Sequence, residues 1–126
     1  MGRRLAAPTL VERLSKAKGR SAYETMWLLT MFDLPNVTKE EKKRHARFRK
    51  DLEKLGFDRL QFSVYAYFCP SEEVAEVIRK NIREALPPSG NVRIVSITDK
   101  QFGKMHVFEG KKRVDAEEPP EQIVLL

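Results

Sequence analysis

MWLLTMFDLP, residues 26–35, is the stretch on which the fold turns. Trp27, Leu28, Leu29, Met31 and Phe32 put apolar side chains on both parities of an extended chain. An apolar run over 24–34 therefore reads as a central strand covered on both faces. Pro35 holds Leu34 extended, so the strand cannot run straight into a helix.

Downstream, Thr38-Lys39-Glu40-Glu41 has the form of a capping box. His45, Phe48, Leu52 and Leu55 then recur at helical spacing, and Gly56-Phe57 suits a left-handed stop with its apolar contact. The spacing predicts a helix over 38–55, about 27 Å long. Arg59–Phe68, RLQFSVYAYF, is long for one strand and predicts two short strands turning near Gln61–Ser63. Ser71 caps a second helix whose apolar face is Val74, Ile78, Ile82 and Ala85, and Pro87-Pro88 stop it. VRIVSIT, residues 92–98, predicts the next strand, and 105–108 a short one closed by Glu109-Gly110. An acidic, proline-bearing linker leads to the apolar Ile123–Leu126.

The order strand, helix, two strands, helix, strand is α+β: a ferredoxin-like βαββαβ sandwich with an extra C-terminal strand. The expected organisation is a basic extension over 1–22, the ferredoxin-like domain over 23–109, and a linker with an exchange strand over 110–126.

A chain of 126 residues suits one domain, and 41% hydrophobic residues supply a modest core. So small a core gains from burial in an oligomer. The one cysteine, Cys69, excludes an intrachain disulfide and points to a reducing, cytoplasmic setting. Met26–Phe32 is far too short to cross a membrane. Pro8, Glu12 and Arg13 interrupt the basic start, which reads against a signal peptide.

The net charge is +6, and six basic residues against Glu12 alone put most of it in residues 1–20. A second concentration, KKRHARFRK at 42–50, has six basic residues and no acid. Such a run serves either phosphate binding or a solvated helix face.

Three segments together resemble a known family. They are MWLLTMFDLP, the basic helix after it, and Arg59-Leu60-Gln61-Phe62-Ser63-Val64-Tyr65. The last is similar to an Arg-hydrophobic-Gln-x-Ser-Val-aromatic segment of the small CRISPR-associated protein of the spacer-acquisition machinery. ITDKQFGKMHVFEGKK, residues 97–112, is similar to the form found with type II systems. The resemblance covers about 23–113. It implies a homodimer of ferredoxin-like protomers and a C-terminal strand that crosses to the partner's sheet. It implies a place in an integration complex, bridging dimers of a larger integrase subunit and contacting duplex DNA. For some members it also implies Mg²⁺-dependent nuclease activity on RNA or double-stranded DNA. Phe32 stands where the family often has tyrosine, which removes a hydroxyl beside Asp33.

Asp33 is the candidate catalytic and metal-binding residue. Mg²⁺ commonly takes one or two carboxylates plus waters and phosphate oxygens, so Asp33 from two protomers makes a better site than one. Its alternative role is to accept hydrogen bonds in the turn before Pro35. Lys42, Lys43, Arg44, Arg47, Arg49 and Lys50 are the candidate phosphate contacts, with Arg59, Lys111, Lys112 and Arg113 behind them. Recognition of backbone and duplex shape is expected, not of bases. His45, His106, Cys69 and Trp27 read as packing residues. Ser63 has no neighbouring base to activate it. Phe62 and Tyr65 have rings that stack bases in other folds, but sheet packing is the expectation here.

Three functions fit: a dimeric, non-catalytic scaffold for duplex DNA, which is favoured; a Mg²⁺-dependent endonuclease; and a toxin-like ferredoxin-fold ribonuclease.

Overall fold

The computed structural model describes residues 25–120. The expected N-terminal extension over 1–22 and the strand expected at Ile123–Leu126 lie outside them.

The elements are β1 (Met26–Asp33), α1 (Lys39–Leu55), β2 (Asp58–Gln61), β3 (Val64–Cys69), α2 (Glu72–Glu84) and β4 (Asn91–Thr98). They form one four-stranded antiparallel sheet in the order β2-β3-β1-β4, the ferredoxin-like arrangement. β1 is central, as its two-sided apolar pattern requires. Met26 to Met31 pair with Cys69 to Val64 on one side, and Met26 to Asp33 pair with Thr98 to Asn91 on the other.

Successive side chains alternate between faces. Leu28, Thr30 and Phe32 therefore face the helices, while Trp27, Leu29, Met31 and Asp33 face away. The helix side holds the main core, with Phe48, Leu52 and Leu55 of α1 and Val74, Ala75, Ile78 and Ile82 of α2. The α1 ends are fixed by the expected caps. Thr38 Oγ1 accepts from the Glu41 N–H at 3.1 Å, and Glu41 Oε1 accepts from the Thr38 N–H at 2.9 Å. At the other end the Gly56 N–H donates to Glu53 O and the Phe57 N–H to Leu52 O, both at 3.0 Å, with Gly56 at φ 106°. That is a Schellman stop, and it turns Phe57 into the core.

Two features go beyond the sequence expectation. A short helix, α3 (Asp99–Gly103), carries its own capping box, Thr98 with Gln101. It buries Phe102, which stacks on Trp27 at 4.0 Å between centroids, on the far face of the sheet. Trp27 Nε1 donates to Asp99 Oδ1 at 2.8 Å and ties α3 down. Further on, β5 (Val107–Glu109) pairs with β6 (Lys112–Val114) about Gly110 at φ 64°. The stretch read as linker from Gly110 thus begins with a hairpin strand.

The far face is covered only in part. Phe102, Met105 and Ala116 shelter its Trp27 end. Toward Asp33 it opens: Met31 and Val64 are half-buried and Val95 is 39% exposed. No helix among the described residues is long and apolar enough to cross a membrane.

Candidate nucleic-acid interface

With His45, Phe48, Leu52 and Leu55 turned inward on α1, helical geometry aims Lys39, Lys43, Arg47, Lys50 and Lys54 to the opposite side. All five are exposed. They form a stripe about 22 Å long at 1.5 Å per residue. Among the described residues none of Lys43, Arg47 and Lys50 is in an ion pair; the ion pairs there join Arg79 to Glu72 and Glu76 on α2, both at 2.7 Å. Lys42 and Arg44 are exposed on the two borders of the stripe. Burial of the apolar side thus fixes which way the basic side points.

Arg49 behaves differently from its neighbours. It is half-buried, and its guanidinium lies 5.7 Å from the centre of the Phe62 ring. Arg59, exposed on β2, places its guanidinium at 5.7 Å from the same ring. Phe62 stands in the turn between β2 and β3, just after the ladder shifts register between Arg59 and Gln61, and is 54% exposed. This corrects the expectation that it packs in the sheet: a residue at the tip of a tight turn has no sheet face to bury against. Tyr65, by contrast, is fully buried as expected. The turn is pinned to β1, since the Phe32 N–H donates to Ser63 O at 3.1 Å.

His45 stacks on Phe62 at 5.3 Å and meets Phe32 edge-on at 5.7 Å. Burial, and then the Arg49 charge, hold its pKa below the ordinary 6.5. The unfolded chain therefore binds a proton that the folded chain resists, so stability should fall as pH drops through and below that value. His45→Leu should flatten this dependence. Melting curves of both proteins from neutral to mildly acid pH check it; equal losses on acidification would show that His45 is not the responsible group.

Asp33 ends β1 beside Asn91 of β4. Its side chain is exposed on the far face, and among the described residues it has no hydrogen-bond or ion-pair partner. The turn role expected as its alternative is not made by the carboxylate here. Gly90 makes the close approach at this corner feasible. It sits at φ 103°, and a Cβ there would lie 2.6 Å from Leu34 Cδ2 and 3.0 Å from the Asp33 carbonyl oxygen. Phe32, next in sequence, is on the other face, stacked in the core on Tyr65 and edge-on to Phe48. A hydroxyl at that position would point away from Asp33, so phenylalanine there takes nothing from the carboxylate's surroundings.

No group of three or more His, Cys, Asp or Glu side chains that could hold a metal ion occurs among the described residues. Cys69 is buried, its thiol pushed up to about 11 chiefly by burial, and it donates to Ser71 O at 3.1 Å. It is a packing residue. Lys111, Lys112 and Arg113 are exposed on the β5–β6 hairpin, with the Arg113 guanidinium 6.0 Å from the exposed Phe108 ring. The structure thus brings Arg49 and Arg59 together at Phe62. It leaves the α1 stripe as a separate face and sets Asp33 on the far face of the sheet.

Residues 26–105 match the family model of CRISPR associated protein Cas2, a span from the start of β1 to just beyond α3. A CRISPR-associated endoribonuclease Cas2 of Flavobacterium psychrophilum is 48% identical over 103 residues, 82% of this chain and 90% of that protein. One of Parvibaculum lavamentivorans is 47% identical over 100 residues, 79% of this chain and 99% of its own. One of Paracidovorax avenae is 40% identical over 105 residues, 83% and 97% respectively.

Proposed function

This chain belongs to the Cas2 family of CRISPR-associated proteins, and we propose that within it the chain is an adaptation subunit: a homodimeric scaffold that holds duplex DNA and bridges the larger integrase subunits. The observation that carries the reading is the exposed basic stripe of α1, whose central members Lys43, Arg47 and Lys50 are free of acidic partners among the described residues. A cationic stripe on a rigid helix suits the phosphates of a duplex and is indifferent to base sequence. The open apolar end of the sheet supports the dimer, because a second copy laid on Met31, Val64 and Val95 would cover it.

A second reading is a Mg²⁺-dependent endonuclease, favoured by the name that the relatives carry and by the exposed, unpartnered Asp33. A single protomer does not suit the cation. It offers one carboxylate at this corner and no supporting cluster among the described residues. Asp33 shares its sheet face with Met31 and Val95, so the same docking that covers the face would bring a second Asp33 near. A dimer formed this way would supply two carboxylates, within the one or two that Mg²⁺ commonly takes beside waters and phosphate oxygens.

Asp33→Asn separates the two readings. Asparagine keeps the size and hydrogen-bonding capacity of the side chain and removes the charge. The variant should dimerise, bind duplex and support spacer integration near the wild-type level, while any Mg²⁺-dependent cleavage is lost. Integration and cleavage are measured on one preparation. Loss of integration by a folded, dimeric variant would overturn the scaffold reading in favour of the enzyme.

A further inference from the structure

We propose that Phe62, flanked by Arg49 and Arg59, is a stacking platform for an unpaired base at the end of a DNA duplex, with the two guanidiniums taking the phosphates beside that base. This rests on the reading of α1 as the duplex-binding face and adds a site for the strand that leaves it.

The ring is 54% exposed at the tip of the β2–β3 turn, yet it is not loose. The buried His45 imidazole stacks on it at 5.3 Å and 27°, and Phe32 and the Phe32–Ser63 backbone bond hold that corner. Two guanidinium carbons lie 5.7 Å from its centre. Arg49 Nε is buried with no hydrogen-bond partner, so packing rather than an ion pair sets the position of its guanidinium. Lys42, two helical turns before Arg49, is exposed on the same flank of α1.

An exposed aromatic face among cations is what single-stranded nucleic acid requires: the ring stacks a base of any identity and the cations follow the backbone. Bases inside a duplex have both faces covered by their neighbours, so only an unpaired base can use the ring. A protein partner inserting an apolar side chain here would have to strip water from two guanidiniums without compensation, whereas a nucleotide supplies phosphate oxygens to them. The platform and the α1 stripe are separate faces, and Lys42, exposed on the flank of α1 between them, offers the backbone a cation on the way from one to the other.

The test compares the full-length chain on a blunt DNA duplex and on the same duplex with a short single-stranded extension carrying 2-aminopurine. The extension should raise affinity by roughly 5- to 150-fold, the span of one stacked base, and quench the probe. Phe62→Leu, which keeps an apolar side chain, should abolish both the gain and the quenching. Its affinity for blunt duplex should stay within about twofold of wild type and its salt dependence should not change. Phe62→Trp should keep the gain. Lys43→Ala/Arg47→Ala/Lys50→Ala should weaken both DNAs alike and leave their ratio intact. A wild-type ratio near unity, or a Phe62→Leu protein that retains the gain or loses blunt-duplex binding equally, would overturn the platform while the duplex reading stands. Failure of the wild type to bind either DNA would overturn both.

Discussion

Replacing Lys43, Arg47 and Lys50 together by alanine should weaken duplex binding by roughly a hundredfold at physiological salt and lower the slope of log affinity against log salt by about 2.7. Each neutralised phosphate releases condensed counterions, worth about 0.9 of slope for B-form DNA, and the three side chains project from one face of α1. None has an acidic partner among the described residues to compensate its removal or to have masked it beforehand. The core beneath α1 rests on His45, Phe48, Leu52 and Leu55, so the exposed substitutions should leave melting temperature nearly unchanged. Titrations of unrelated duplex sequences over a range of salt check the expectation. The loss should be the same for every sequence. A loss confined to one sequence, or an unmoved slope, would mean that the duplex lies elsewhere.

Val95→Lys should abolish the proposed dimer, weakening association by at least about a hundredfold, since an uncompensated charge buried at an interface costs about 3–5 kcal/mol. In the protomer Val95 is 39% exposed, so lysine there reaches water and the fold is spared. Against a second copy the side chain has no such exit. Arg93, two residues along on the same face of β4, offers repulsion in place of a partner. The defect would appear once in each protomer of a two-fold pair. Sedimentation over a range of protein concentrations, together with circular dichroism, decides it. A well-folded Val95→Lys protein that still dimerises would show that copies do not meet through this face.

What the sequence disclosed follows from how local each signal is. α1 is delimited by side chains that bond within their own turn: Thr38 with Glu41 at one end, Gly56 and Phe57 at the other. Both ends were therefore readable from neighbouring letters. The two strands in Arg59–Phe68 were readable from their β-branched and aromatic content, but content does not say which residue lands at the turn. From content alone Phe62 therefore reads as a packing residue. The short helix α3 has the same capping pattern as α1, yet five residues are too few to show a period. The site was legible unevenly. The basic run KKRHARFRK announced a charged face, while the gathering of Arg49, Arg59 and His45 around one ring joins residues from two elements and has no local signature. Phe32 and Asp33 illustrate the opposite error. Adjacent letters suggested adjacent chemistry, and the strand's alternation sends them to opposite faces.

The central place of β1 also bears on how the chain is made. β1 is the first of the four sheet strands to leave the ribosome, and its longest ladder, from Met26 opposite Thr98 to Asp33 opposite Asn91, awaits the strand that leaves last among the four. At ordinary elongation rates of about 5–20 residues per second, that interval is several seconds. During it, β1 can pair with β3 and collect α1 and α2, but its other edge stays bare. That edge belongs to a strand that is apolar on both faces, so the nascent protein passes through a stage with an open template for pairing with other chains. A message truncated before the codons for β4 would release the product at that stage. Its expected fate is aggregation or proteolysis, and completion of β4 is the event that closes the edge.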